Sequence, residues 1–225
     1  LFATLIIGTM IQQIGLLIGG STGNVIYLLG KAAAALTSAG IGVGVAVKYG
    51  ESPLVTVSAA VAAMVGGYAG KITGGTFFVD GNAVLAGPGE PLGAFIAAFA
   101  GITCGHLVSG KTKVDIIVTP VITIGAGSVV GLLVGPPISQ MMTGLGSIIN
   151  WATEQRPFIM GIVVSVVMGM VLTLPISSAA LGIILNLSGL AAGAATIGCC
   201  CNMVGFAVAS YRENKFGGLV AQGLG

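Results

Sequence analysis

Apolar residues run in long blocks along this chain, and the few charged residues fall between the blocks. Leu1 to Leu29 carries no charge and closes at Gly30-Lys31. Ala32 to Val47 follows, closed by Lys48 and Glu51. Pro53 to Gly70 opens on a proline suited to a first helical turn and closes at Lys71. Pro91 to Ser109 leads into a polar loop with Lys111, Lys113 and Asp115. Ile116 to Gly135 stops at Pro136-Pro137. Ile138 to Ala152 is apolar but short and ends at Glu154 and Arg156. With Trp151 as an anchor it either lies in the interface or completes a tilted crossing. From Phe158 to Tyr211 there is no charge and no histidine. As one helix that stretch would be about 80 Å long, far beyond the ~30 Å hydrocarbon core of a bilayer. It must turn back, and Pro175 and the Asn186-Ser188-Gly189 group are the breaks. The pattern predicts a helix up to Leu174, a buried hairpin through about Leu187 and a helix to Ser210. Arg212, Glu213 and Lys215 mark the return to water.

Blocks of this length cross membranes as helices, because a helix satisfies its own backbone in lipid. The expected fold is therefore an all-α membrane protein, a polytopic transmembrane helix bundle with broken or re-entrant segments. Residues 1–225 are read as a single transmembrane domain with room for roughly six to eight passes. We expect further sequence at one or both ends. If 138–157 does not cross, Lys48, Lys111, Lys113, Arg212 and Lys215 share one side, which the excess of basic residues makes cytoplasmic.

Composition narrows the class. Eight basic and six acidic residues make 6% of the chain, hydrophobic residues make 55% and the mean hydropathy is +1.07. A soluble domain carries about 25% charge, so an ordinary soluble enzyme, a disordered chain and a nucleic-acid binder are excluded. Glycine numbers 39. Many lie four apart in apolar runs: Gly15/Gly19, Gly40/Gly44, Gly66/Gly70, Gly101/Gly105, Gly127/Gly131/Gly135 and Gly189/Gly193. That spacing lets membrane helices approach closely. Two segments, 71–93 and 173–189, are interrupted by Pro and Gly, and paired broken segments point to a transport site.

The loop from Lys71 to Gly93 is too apolar for a simple exposed connector and too broken for a helix. It holds Asp80 and Glu90, two of the six acids. Glu90 stands between Gly89 and Pro91 at the mouth of a span. A carboxylate there can accept hydrogen bonds from the hydroxyls of a polar solute, since membrane acids are costly and usually functional. It can equally be a helix-start acid favoured by the macrodipole. His106, the sole histidine, is either a solute ligand or proton relay or a packed histidine bonded to backbone. One histidine and scattered thiols do not supply a tetrahedral metal set, so neither metal nor cofactor is expected. Cys104 and Cys199-Cys200-Cys201 read as packing residues. Gly105 to Thr112 satisfies G-x-x-x-x-G-K-[ST], but that motif works between a strand and a helix of a soluble α/β core, and here an apolar span precedes it.

Gly87-Pro88-Gly89-Glu90-Pro91 resembles the Gly-x-x-Glu-Pro signature of phosphotransferase-system IIC sugar permeases. The wider string Asp80 to Ala94 is similar to the IIC-like family that includes the toxin regulator PfoR, and Leu174-Pro175-Ile176-Ser177-Ser178 fits the same family. The resemblance implies a multi-pass permease of the bacterial cytoplasmic membrane. It implies a homodimer that binds a sugar-like solute and works with separate IIA and IIB phosphotransfer proteins. It places Glu90 on the sugar hydroxyls; Asp80, Asn82, His106, Ser177 and Ser178 are weaker candidates. No IIA-like or IIB-like segment occurs in the chain, so the alternative is a non-transporting membrane sensor or regulator with a IIC-like fold. No nucleic-acid partner is expected.

Overall fold

The computed structural model describes residues 2–79, 81–85, 87–173, 181–182, 185 and 187–223, without the side chains of Phe2, Ala3 and Leu145. Two compact units divide the chain at Met141/Met142.

In the N-terminal unit a π-helical turn, Phe2–Ile6, leads into α1 (Ile7–Ile18) and α2 (Gly20–Ala35). The first apolar block was expected as one segment, but it is two helices. Gly19 and Gly20 sit at φ +65° and +64°, a left-handed pair that only glycine adopts without penalty, and the chain reverses there. The returning helices touch through glycines seven apart. A Cβ on Gly23 would lie 2.5 Å from the Gly15 carbonyl oxygen, and one on Gly30 would lie 2.5 Å from that of Gly8. Neither Gly19 nor Gly44 packs against anything, so the four-residue spacing was misleading there.

α2 ends at Leu36 and α3 (Thr37–Lys48) continues at a bend of 47°. Ser52 caps α4 (Pro53–Gly67), its Oγ accepting from the Val55 amide, and Pro53 takes the first helical turn. A short α5 (Ala69–Thr73) precedes a small hairpin, β1 (Phe78–Val79) with β2 (Asn82–Ala83), paired antiparallel with Val79 opposite Asn82. α6 (Pro91–Val108) returns through the unit. Helices α3, α4 and α6 close over Ala46, Val55, Ala59, Ala63, Ala94, Ala98 and Ile102, all buried. Alanine dominates because small side chains allow dense helix contact where lipid supplies no hydrophobic drive.

α7 (Asp115–Gln155) contains Pro120, Pro136 and Pro137. The expected stop at Pro136-Pro137 does not occur. The two prolines remove two amide donors, whereas leaving the helix would expose more backbone to lipid, so the helix continues. Gly127, Gly131 and Gly135 pack as their spacing predicts. Cβ atoms there would meet the Ala97 carbonyl oxygen at 2.7 Å, the Gly66 Cα at 2.8 Å and the Gly66 carbonyl oxygen at 3.0 Å.

In the C-terminal unit, from Met142 on, the end of α7 is followed by α8 (Pro157–Val171) and α9 (Gly189–Gly223). Val164, Met168 and Ala195 form its core with Ile149, Leu181, Leu187, Ala194 and Cys199 around them. Asn150 Oδ1 accepts from the Ser188 amide at 3.3 Å. The final helix does not end near Ser210 as expected; it runs through Arg212 and kinks at Lys215, whose φ is +52°. Pro175 and Asn186, the predicted breaks, lie outside the described residues.

α6, α7 and α9 are each long and apolar enough to cross a membrane, and the bent α2–α3 pair makes a fourth if counted as one span. The all-α membrane architecture stands, with fewer full-length crossings among the described residues than the apolar length alone suggested. The shorter apolar helices, Thr4–Ile18, Pro53–Gly67 and Pro157–Val171, account for the difference.

Candidate functional site

At one end of the N-terminal unit three interruptions of helix come together: the α2–α3 bend at Leu36, the end of α4 at Tyr68 and the start of α6 at Glu90. The irregular connecting strand Gly87–Glu90, which is not part of the β-hairpin, is threaded among them. Ser38 Oγ, in the first turn of α3, donates to the Pro88 carbonyl at 2.9 Å. The Glu90 amide donates to the Gly67 carbonyl at 2.7 Å. Tyr68 Oη lies 2.5 Å from the Gly87 carbonyl oxygen and 3.1 Å from that of Ala35, the last residue of α2. Ser38 is 0% exposed and Tyr68 1%, so these hydroxyls must find protein partners, and they find them on the strand.

The glycines of the string follow from this. Gly87 and Gly89 have φ of +79° and +75°. A Cβ on Gly89 would also stand 2.5 Å from Ser38 Oγ and 3.1 Å from the Gly67 carbonyl oxygen. Glycine is required there twice over, by conformation and by space.

Glu90 is half-buried and extended (φ −93°, ψ 110°), as a residue before proline should be. Its Oε1 accepts from the Leu92 amide at 3.2 Å and its Oε2 from the Gly93 amide at 2.5 Å. The carboxylate thus caps α6, where the macrodipole favours negative charge. An ionised carboxylate has about four lone-pair directions. Two are used by the cap, which leaves two to accept from a ligand.

The other candidates are placed differently. Asn82 lies exposed on β2, opposite Val79. The hairpin is tied toward the site through Phe77, whose ring centroid is 5.4 Å from that of Tyr68. Asp80, Ser177 and Ser178 lie outside the described residues. His106 is in the last turn of α6, about 24 Å along the helix from Glu90 at 1.5 Å per residue. No small solute touches both at once. Its Nδ1 lies 2.9 Å from Glu51 Oε1; the histidine side chain is 70% exposed and the glutamate 7%. Beside this pair Ser52 Oγ and Ser109 Oγ are 2.9 Å apart. The start of α4 and the end of α6 therefore share one end, and Lys48, Lys111 and Lys113 gather there.

Ser38, Tyr68 and Glu51 are absent from the sequence-derived candidates. A serine inside an apolar run and a tyrosine among glycines were visible signals, since a buried hydroxyl in a membrane segment needs a partner. Glu51 read only as a span end. The P-loop lookalike is no phosphate cradle: Gly105 to Val108 are the last turn of α6, with helix rather than strand before them. Among the described residues no three His, Cys, Asp or Glu side chains cluster to hold a metal ion.

The family described as phosphotransferase system, EIIC, matches residues 1–225, the whole of this sequence. The chain belongs to the EIIC family. No curated protein and no solved structure matches it. Membership makes this EIIC chain a membrane component of sugar transport.

Proposed function

We propose that this chain is a permease subunit that binds a sugar-like solute through Glu90 and moves it across the bacterial cytoplasmic membrane. The observation that carries the reading is the Glu90 carboxylate itself. It is half-buried, oriented by two backbone amides and left with acceptor capacity beside a clasped, irregular strand. Irregular backbone at membrane depth is tolerated where protein or a wet cavity satisfies it, and sugars are recognised by acceptors of this kind. With the Lys48–Lys111 end at one interface, Glu90 stands about 24 Å across a hydrocarbon layer of ~30 Å, beyond the midplane. Asn82, on the adjacent hairpin, would add a hydrogen bond to the same solute. His106, at the far end of α6, would act on entry or exit instead. The chain would work as a homodimer, with phosphorylation supplied by separate IIA and IIB proteins.

Proteoliposomes holding the full chain test this with a panel of labelled mono- and disaccharides. Saturable uptake of one sugar is expected, and Glu90→Gln should reduce it at least tenfold while the protein still purifies. Unchanged uptake in that variant refutes the site. Binding of a sugar without flux would replace the permease by a sensor with the same fold.

A further inference from the structure

The strand that ends at Glu90 is held by two buried hydroxyls belonging to two different elements. Ser38 sits just past the 47° bend that separates α2 from α3. Tyr68 follows the end of α4 and has one proton for two carbonyl oxygens, that of Gly87 on the strand and that of Ala35 at the end of α2. Both sides of the bend are therefore tied to the strand: Ala35 through Tyr68, and Ser38 directly. Space around the ties is exhausted, because a Cβ on Gly67 would collide with Ser38 Oγ and one on Gly89 would lie 2.5 Å from it. The strand cannot slide while both ties are made. The hydrogen bond that the Glu90 amide donates to the Gly67 carbonyl then fixes the backbone from which the carboxylate accepts from the Leu92 and Gly93 amides.

We propose that Ser38 and Tyr68 are positioning residues for Glu90, forming a clasp that couples the α2–α3 bend to the place of the carboxylate. A change in the bend moves Ala35 relative to Ser38, so the two ties cannot both persist. The Tyr68 proton passes wholly to one of its two acceptors, and the strand is released or gripped accordingly. Neither residue needs to touch solute. Glu90 is displayed to its ligand in one state of the bend and withdrawn in the other. The consequence for transport rests on the reading of Glu90 as a solute contact; the clasp itself does not.

The test reads the carboxylate directly and needs no sugar. The full chain in lipid nanodiscs is treated with a water-soluble carbodiimide and an amine. The rates of amide formation at Glu90 and Glu51 are followed by peptide mass spectrometry. Glu51, with its side chain 7% exposed at the other end of α6, is the internal reference. Tyr68→Phe removes the donor but keeps the ring against Phe77; Ser38→Ala removes the other tie and serves if Tyr68→Phe fails to fold. Each is expected to raise the Glu90 rate about tenfold, the effect of losing one buried hydrogen bond, with the Glu51 rate unchanged. Glu90 rates equal to those of the unmodified chain would overturn the proposal. So would parallel increases at Glu90 and Glu51, which would mean general loosening. Undiminished sugar uptake by Glu90→Gln, by contrast, would remove the solute reading and leave the labelling result standing.

Discussion

Gly66→Ala is the sharpest test of how this bundle is packed. Gly66 lies near the end of α4 with α6 on one side and α7 on the other. A Cβ there would stand 2.5 Å from the Gly93 carbonyl oxygen and 3.1 Å from its carbon. Ordinary contact between heavy atoms needs roughly 3.5 Å, so α4 and α6 would have to part by about 1 Å. They cannot do so by moving α4 the other way, because the Gly131 and Gly135 positions already press on Gly66. Overpacking of this sort costs about 1–3 kcal/mol. The better helix propensity of alanine returns up to about 1 kcal/mol. A net loss of about 1–2 kcal/mol lowers Tm by roughly 2–8 °C in a chain of this size. Gly125→Ala is the control: it is a helical glycine with nothing within 4 Å, so only the propensity gain remains and Tm should rise by about 1–4 °C. Thermal unfolding in detergent, followed by the fluorescence of Trp151, measures both. The Gly66 change should also weaken sugar uptake, because Gly93 carries the amide that holds Glu90 Oε2. Both variants shifting Tm upward would refute the packing argument.

Three further outcomes follow from single features. Thr123 Oγ1 is buried without a hydrogen-bond partner, so the near-isosteric Thr123→Val should hold or raise stability by about 1 kcal/mol; a fall in Tm would mean that a water or partner is being lost. Ser52→Ala removes the α4 cap and the contact to Ser109 and should cost about 1 kcal/mol, with Ser52→Asp restoring most of it; no loss of Tm would deny the cap. A photoreactive ATP analogue should leave Lys111 and Thr112 unlabelled, since helix occupies the place of the strand that a phosphate loop requires, and specific, competable labelling there would contradict the fold at that point.

Much of the fold could be read from where charges fall. Lys48 and Glu51 end α3, Pro53 starts α4, and Pro91 and Val108 bound α6 to within a residue of the expected span. The α4 and α6 starts were legible because a proline after a capping side chain begins a helix; charge was a poorer guide, since α2 runs on through Lys31, the expected end of the first block, and the last helix runs through Arg212. The first block was misread because it holds no charge. Its break is conformational, at Gly19-Gly20, and glycines that turn a chain look like glycines that pack helices until φ is known. The opposite error occurred at Pro136-Pro137. Two prolines read as a stop by local rules, yet in lipid the alternative to a strained helix is unsatisfied backbone, and the helix prevails.

The site was legible only in its charged member. Glu90 stood out because acids are scarce here. The residues that fix its position are a serine, a tyrosine and three glycines, types too common in membrane sequences to be noticed singly. What joins them is contact between Ser38, Tyr68 and Gly87–Glu90, separated by tens of residues in sequence, which no spacing rule anticipates. The scarcity of charge that exposed Glu90 also explains its surroundings. Among the described residues the Glu90 carboxylate is held by dipoles, the amides of Leu92 and Gly93 at the start of α6. The proposed role of Glu90 therefore calls for a hydroxyl-rich solute, whose O–H groups donate to a carboxylate already oriented by the start of α6.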